Sequence, residues 1–336
     1  MGNPLLKLLG ISMDPILGLD ISSSAVKLVE LGMKEQQYYV EHYAIEPLPP
    51  GAVVEKNIQN KANVVQAVEK VVKKSGVTSR SVCTSVPSSL AITRIIQLNA
   101  TFTDKEIGNE IELEADRYIP YALDEVNLDY EVLGQSTVSE QLVDVLLAVS
   151  KTENIDARVE LLAEAGLEIN IIDVDAFAME RAFELVAKQL PEHGRGKIAA
   201  LVDIGATMTT LHIFKDLRSI YTREQAFGGQ QLTDEIQNRY GLNFDEAVLA
   251  RKYGDLPDNY NTEVLEPFKE TIAQQINRAC QFFFSSGDRG SHKCFLLRRI
   301  AIAEVPLSTI LLRSIMFPQY PICLGLVPLA IPCLKM

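Results

Sequence analysis

Two stretches far apart in this chain carry the same short pattern, and that repetition limits what the chain can fold into. Residues 201–214 read LVDIGATMTTLHIF: an apolar run through Asp203, then Gly205 and small residues, then an alternating run through Thr209, Leu211 and Ile213. Residues 17–31 read LGLDISSSAVKLVEL: an apolar run through Asp20, three serines (Ser22, Ser23, Ser24) and a return run carrying Lys27. Each pattern predicts a strand, a tight turn and a second strand. Gly205 permits a sharp bend and a close approach of backbone to a ligand. Successive N–H groups in such a turn form an anion-binding nest. The acid at its mouth is placed to hold a metal ion or to position a water. One hairpin of this kind is common without any ligand. Two copies predict two similar subdomains that share one anion, the phosphates of a nucleotide.

Length and charge narrow the partners. A chain of 336 residues is long enough for two domains or one large core. The net charge of −12 argues against nonspecific nucleic-acid binding, though not against a small patch that meets a membrane or partner. The five cysteines (83, 280, 294, 323 and 333) show neither a disulfide framework nor CxxC spacing, which fits reduced thiols. The four histidines form no ligand cluster.

Taken in order, residues 1–16 hold a short amphipathic piece (Leu5, Leu6, Leu8, Leu9, Ile11) with neither the basic start of a signal peptide nor the length of a membrane span. A helix packed on the domain and a peripheral contact are both open for it. A third strand follows near 37–45. The spacing then predicts a helix over 61–74, with Val64, Val68, Val71 and Val72 on one face and Gly76 as its cap. A strand over 80–86 ends at Pro87. Residues 88–170 read as an insert of order strand–helix–strand–helix–strand, with Thr103-x-x-Glu106 as a capping box. Its acids (Asp104, Glu106, Glu110, Glu112, Glu114, Asp116, Asp124, Glu125) form either a solvated face or an acidic partner surface. Asp175 is placed to cap a helix over 176–189. Past the central turn, Gly228 and Gly229 open a helix closed by Gly241; a glycine pair there brings free N–H groups close to an anion or a ribose. Asn243-x-x-Glu246 is a second capping box. A long helix over 263–286 ends in Phe282-Phe283-Phe284, read as core.

Five segments together resemble a known family: GLDISSSAVKLVEL (18–31), FTDKEIGNEIELEADRYIPYALDEVNLDY (102–130), IIDVDAFAMERAF (171–183), LVDIGATMTTLHIF (201–214) and AFGGQQLTDEIQNRYG (226–241). They are similar to the PilM family of type IV pilus assembly proteins, in the actin-like ATPase superfamily and related to the cell-division protein FtsA. The middle block is the most specific, because actin and the sugar kinases lack it. The resemblance runs from about residue 5 to Ser286. It implies an α/β, actin-like (ribonuclease H-like) two-domain fold with an inserted α+β subdomain. The first domain would be 17–87 with 171–195, the docking insert 88–170, and the second domain 196–286.

The resemblance also implies roles. Ser22, Ser23 and Ser24 would hold the β/γ-phosphates of ATP, and Lys27 would neutralise them. Gly205, Ala206 and Thr207 would clamp from the other side, with Gly228, Gly229 and Glu246 near the nucleoside. Asp20 and Asp203 would hold Mg2+ through water, since Mg2+ keeps several waters and takes only one or two carboxylates. Ser22 stands where the superfamily has glycine, and its Cβ is expected to tilt the turn amides. Hydrolysis needs a residue that orients water, and none is identifiable, so ATPase activity is expected to be weak or absent. The implied partner is the cytoplasmic N-terminal tail of a PilN-like inner-membrane protein, docked beside the insert and linked through other pilus assembly proteins to the motors of twitching motility. Self-association is left open. The implied location is cytoplasmic, peripheral at the inner membrane of a Gram-negative-type bacterium. A small-molecule kinase of the same superfamily and an FtsA-like division protein are the competing readings. Against the first, no sugar-contacting acid/base pair can be named; against the second, the amphipathic C-terminal membrane helix is not seen.

The last fifty residues depart from the family. Asp288 and Glu304 are the only acids in 287–336, and Arg298-Arg299 stands where the family has a strand and a Gly-rich turn. An out-of-frame or otherwise aberrant C-terminus is the expectation, with loss of the final strand and an exposed sheet edge. A hydrophobic anchor is the weaker alternative, because Pro318, Pro321 and Pro328 interrupt its apolar run.

Overall fold

The computed structural model describes residues 15–35, 37–188, 190–196, 198–285, 294–299 and 323–325. The chain divides into two compact units, Met1–Ala178 and Met179–Met336. The amphipathic piece at 1–14 and most of the tail lie outside the described residues.

In the first unit, strands β1 (Leu17–Ile21), β2 (Ala25–Lys34) and β3 (Gln37–Pro47) form an antiparallel meander. A short hairpin, β4 (Val53–Val54) with β5 (Asn57–Ile58), leads into helix α1 (Lys61–Ser75). The apolar stripe of α1 (Val64, Val65, Val68, Val71) is buried, and Gly76 closes it in the left-handed region at φ 72°. Strand β6 (Ser81–Val86) then pairs parallel to β1.

The chain next leaves this sheet to build a separate one. Strand β7 (Ala91–Asn99) is followed by helices α2 (Asp104–Leu113) and α3 (Ala115–Tyr118), then by β8 (Val126–Gln135) and β9 (Leu142–Lys151). The three strands pair antiparallel in the order β7-β9-β8. Ile107 and Ile111 of α2 bury against Ile96, Leu98, Val145 and Leu147. Strand β8 is absent from the sequence expectation. Its partly buried Val126, Leu128 and Tyr130 alternate with exposed Asn127, Asp129 and Glu131, which is the pattern of a half-buried strand.

Helix α4 (Thr152–Glu164) and strand β10 (Glu168–Val174) return to the main sheet, whose order is β10-β6-β1-β2-β3. The sequence reading grouped residues up to 170 with the insert. The packing differs: Leu161 and Leu162 of α4, and Leu167 after it, share a core with Val64, Val68, Leu17 and Leu28. Helix α5 (Asp175–Ala187) then carries the chain across the boundary between the units.

In the second unit, β11 (Ile198–Ile204), β12 (Thr209–Lys215) and β13 (Arg218–Gln225) repeat the antiparallel meander. Phe183 of α5 stacks on Phe214 with ring centroids 4.0 Å apart. Helices α6 (Gly229–Tyr240), α7 (Phe244–Tyr253) and α8 (Glu266–Ser285) follow. Leu232, Ile236, Phe268, Ile272, Ile276 and Phe283 close the core beneath Val202, Ile204 and Leu211. Of the three terminal phenylalanines, Phe283 is core, whereas Phe282 is exposed with the Arg223 guanidinium 4.2 Å over its ring. Strand β14 (Cys294–Arg299) pairs parallel to β11, and β15 (Cys323–Gly325) pairs parallel to β14.

Candidate functional site

The first hairpin closes with its own residues. The Ser22 N–H donates to the Ala25 carbonyl at 3.0 Å, and the Ser22 hydroxyl donates to the same oxygen at 2.8 Å. No residue of the Ser22–Ser24 turn takes a positive φ, so the turn closes with Ser22 in the ordinary L-residue range. Asp20 and Lys27 are cross-strand neighbours, and Lys27 Nζ donates to Asp20 Oδ2 at 2.9 Å. Both side chains remain roughly half exposed, at 56% for Asp20 and 41% for Lys27. The proposed metal ligand and the proposed phosphate cation therefore neutralise each other within one hairpin.

The second hairpin is buried and is held by the helix that follows it. The Gly205 N–H closes the turn on the Met208 carbonyl at 2.8 Å. At the start of α6, the Gly229 N–H donates to the Gly205 carbonyl at 2.9 Å and the Gln230 N–H to the Ala206 carbonyl at 2.7 Å. The Gly228 N–H donates to Gln231 Oε1 at 2.8 Å. A Cβ at Gly228 would stand 2.5 Å from the Gly205 carbonyl oxygen and 2.6 Å from that of Ala206, so only glycine fits. This geometry differs from the sequence expectation for Gly228 and Gly229. Their N–H groups are engaged by protein acceptors rather than free for an anion, and the glycine pair serves to let the helix reach the turn. Thr209 Oγ1 donates to the Phe227 carbonyl at 2.6 Å, and Arg251 Nη1 donates to Thr233 Oγ1 at 2.8 Å and to the Gly229 carbonyl at 3.2 Å. Sequence reasoning missed these supports, since their partners are far apart in the chain.

Glu246 completes the capping box of α7, accepting from the Asn243 N–H at 2.8 Å while its own N–H donates to Asn243 Oδ1 at 2.9 Å. Its carboxylate is thus committed to the helix end. Among the described residues, no group of three or more metal-ligating side chains clusters, and Asp20 and Asp203 belong to different units.

The residues present fit a phosphate-bearing ligand. The amides of Ser24 in the first turn and Ala206 in the second have no backbone acceptor among the described residues. Each turn is small-residued, and each has a carboxylate one or two residues before it. Orphan amides in a turn are what a phosphate oxygen satisfies.

A second polar centre lies at the root of the insert. The Asp175 carboxylate accepts from the Ser88 N–H at 2.9 Å, from the Ser88 hydroxyl, and from Lys56 Nζ at 2.8 Å. Asp175, in the first turn of α5, thus joins two distant loops. Burial alone would raise its pKa, but the Lys56 ammonium and the Ser88 donors outweigh burial and hold the carboxyl below the usual carboxylate range. Nearby, the buried Arg158 guanidinium donates to the Ser85 and Asn154 carbonyls at 3.1 and 2.9 Å. These groups fix the β6-to-insert crossing. On the insert, Glu106 and Glu114 are partly consumed locally, Glu106 by Thr103 and Glu114 by Arg117 and Tyr118.

Two actin-type hairpins, one per unit, with a small sheet inserted into the first unit define an actin-like protein. The sequence matches the family described as type IV pilus assembly protein PilM over residues 18–297, and the chain belongs to that family. The match continues past Ser286 into β14. A solved PilM–PilN type IV pilus biogenesis complex is similar at 26% identity and TM-score 0.65, covering 84% of this chain and 81% of that one. The ethanolamine utilization protein EutJ from Carboxydothermus hydrogenoformans shares 13% identity with a TM-score of 0.48, covering 85% of this chain and 77% of that one. No helix among the described residues is long and apolar enough to cross a membrane.

Proposed function

We propose that this chain is an ATP-binding scaffold of the type IV pilus machine that docks the cytoplasmic N-terminal tail of a PilN-like inner-membrane protein. The observation that supports it is the family match over residues 18–297, a span that includes both hairpins and the insert. The similar solved structure is itself a PilM–PilN complex. The docking face is the insert, a separate sheet on its own small core. Its position at the inner membrane follows from that partner.

ATP with Mg2+ would supply phosphate oxygens and a neutralising cation to the turns. Ser22, Ser23 and Ser24 would orient the phosphates by hydroxyl and amide donors, and Lys27 would carry the opposing charge once turned from Asp20. Gly205, Ala206 and Thr207 would serve from the second hairpin, and Asp20 and Asp203 would hold the metal through water. No side chain in either turn is placed as a general base, so nucleotide would act as a structural or switching ligand.

A synthetic peptide of the partner's tail, titrated into the purified chain with phosphate release followed in parallel, tests this. Saturable peptide binding with little turnover is expected. Turnover stimulated by a small metabolite, with no peptide binding, would favour a kinase instead.

A further inference from the structure

Strands β4 and β5 are joined by two residues, Glu55 and Lys56, which follow the pairs Val53–Ile58 and Val54–Asn57. Both take the left-handed conformation, at φ 48° for Glu55 and 64° for Lys56. A two-residue hairpin turn asks this of both its residues, and asparagine followed by glycine meets the demand with little strain. Here a glutamate and a lysine meet it. Strain of this kind persists only where the surrounding structure over-determines it. At Lys56 the surrounding structure is an ion pair: Nζ donates to Asp175 Oδ2 at 2.8 Å, across 119 residues of chain.

What Lys56 reaches is the root of the insert. The chain enters the insert through Ser88–Leu90, between β6 and β7, and leaves it where β9 gives way to α4. The Ser150 hydroxyl ties the two crossings together by donating to the Leu90 carbonyl at 2.9 Å. Asp175 ties the entry to the main sheet, accepting from the Ser88 N–H at 2.9 Å and from the Ser88 hydroxyl. The Lys56 and Asp175 side chains are 24% and 32% exposed, so the carboxylate has given up much of its water. Burial disfavours its charge, and the Lys56 ammonium is the largest influence that offsets burial. The Arg158 guanidinium also feels Asp175, but it is engaged by the Ser85 and Asn154 carbonyls. Without Lys56, keeping the carboxylate turned inward onto Ser88 costs more.

We propose that Lys56 is a positioning residue for the docking insert: the strained hairpin holds its ammonium on Asp175, and Asp175 in turn holds Ser88 and the angle at which the insert leaves the main sheet. This rests on the reading of the insert as the docking face and deepens it, because the partner's tail then meets an insert already set for docking. A ligand that binds one orientation has its apparent affinity scaled by the fraction of molecules in that orientation. Loosening the root of the insert therefore weakens docking even though Lys56 need not touch the tail.

Lys56→Gly and Lys56→Arg in the full chain test this, by hydrogen–deuterium exchange over 87–91 and by titration with the tail peptide. Glycine suits the turn better than lysine, so the hairpin itself is not weakened. In Lys56→Gly, exchange at Ser88–Leu90 should be about tenfold faster, and peptide binding about fivefold weaker. Lys56→Arg, which keeps the cation, should restore both. A lysine that served only the turn would give the opposite order, with Lys56→Gly at least as well protected as the wild type. Wild-type exchange at Ser88–Leu90 in Lys56→Gly overturns the proposal. Faster exchange with unchanged peptide affinity overturns its link to docking. A wild-type chain that binds no peptide sinks the docking reading instead, and the exchange comparison still decides whether Lys56 sets the insert.

Discussion

The first hairpin is held chiefly by its own residues, Ser22 on Ala25 and Lys27 on Asp20, whereas the second is held by helix α6, which begins beyond the next strand. The first turn is half exposed, and besides its local bonds it receives one backbone donor from outside the hairpin, the Leu48 N–H on the Ser24 carbonyl at 2.8 Å. The second turn sits on a buried strand pair and receives two backbone donors from the helix start. The same short pattern is thus pre-organised in two ways. A turn fixed by packing resists change until a contact is violated, while a turn fixed by exposed side chains yields gradually.

That difference orders the expected effects of substitution. The largest falls at Gly228, where Ala would press its Cβ onto two backbone carbonyls that cannot rotate away. Gly228→Ala should cost the second unit about 3 kcal/mol, the upper range for overpacking. Denaturant unfolding followed by far-UV circular dichroism would read it, since the chain has no tryptophan. An unchanged midpoint would break the contrast between the hairpins.

In the first unit, bonds that span the sequence lie at the root of the insert, where they involve charged side chains. Asp175→Asn, which loses the Lys56 ion pair and weakens the bonds from Ser88, should cost about 1–2 kcal/mol at neutral pH. The sign follows from the lowered pKa of Asp175. Its contribution is complete above the unfolded value of about 3.9, and it is lost as pH falls through the folded value. Wild type and variant should therefore converge in stability on acidification below about 3.9, as read by unfolding curves at stepped pH. Divergence there would contradict the assignment.

The smallest effect on stability is expected at Lys27. Its pair with Asp20 is exposed, and such pairs contribute under about 1 kcal/mol. Lys27→Ala should leave the unfolding curve nearly unmoved while weakening nucleotide binding. A large loss of stability would show that the first hairpin has hidden support.

Local signals in the sequence carried much of this. The capping boxes at Thr103 and Asn243 form as the spacing predicts, and Gly76 and Gly241 close their helices in the left-handed region. Both hairpins fall where the repeated pattern places them. What the sequence left unread was long-range. Helix α4 has the same periodicity whichever core it faces, and only packing shows that Leu161 meets Val64. Asp175, before a helix, reads as a cap, yet its partners Lys56 and Ser88 are far away in the chain. Gly228 reads as a phosphate-binding glycine because glycine at a helix start suits an anion and a close backbone approach equally. Strand β8 was legible in its alternation, but the acids within it obscured it.

The central proposal is that residues of both hairpins contribute to nucleotide binding. Calorimetric titration of Mg·ATP into the wild-type chain, Lys27→Ala and Asp203→Ala tests it most directly, with each protein shown to be folded by circular dichroism. The account predicts one binding site in the wild type, weakened by the change in either hairpin. A folded wild-type chain that binds no Mg·ATP, or binding that survives both substitutions unchanged, would contradict it.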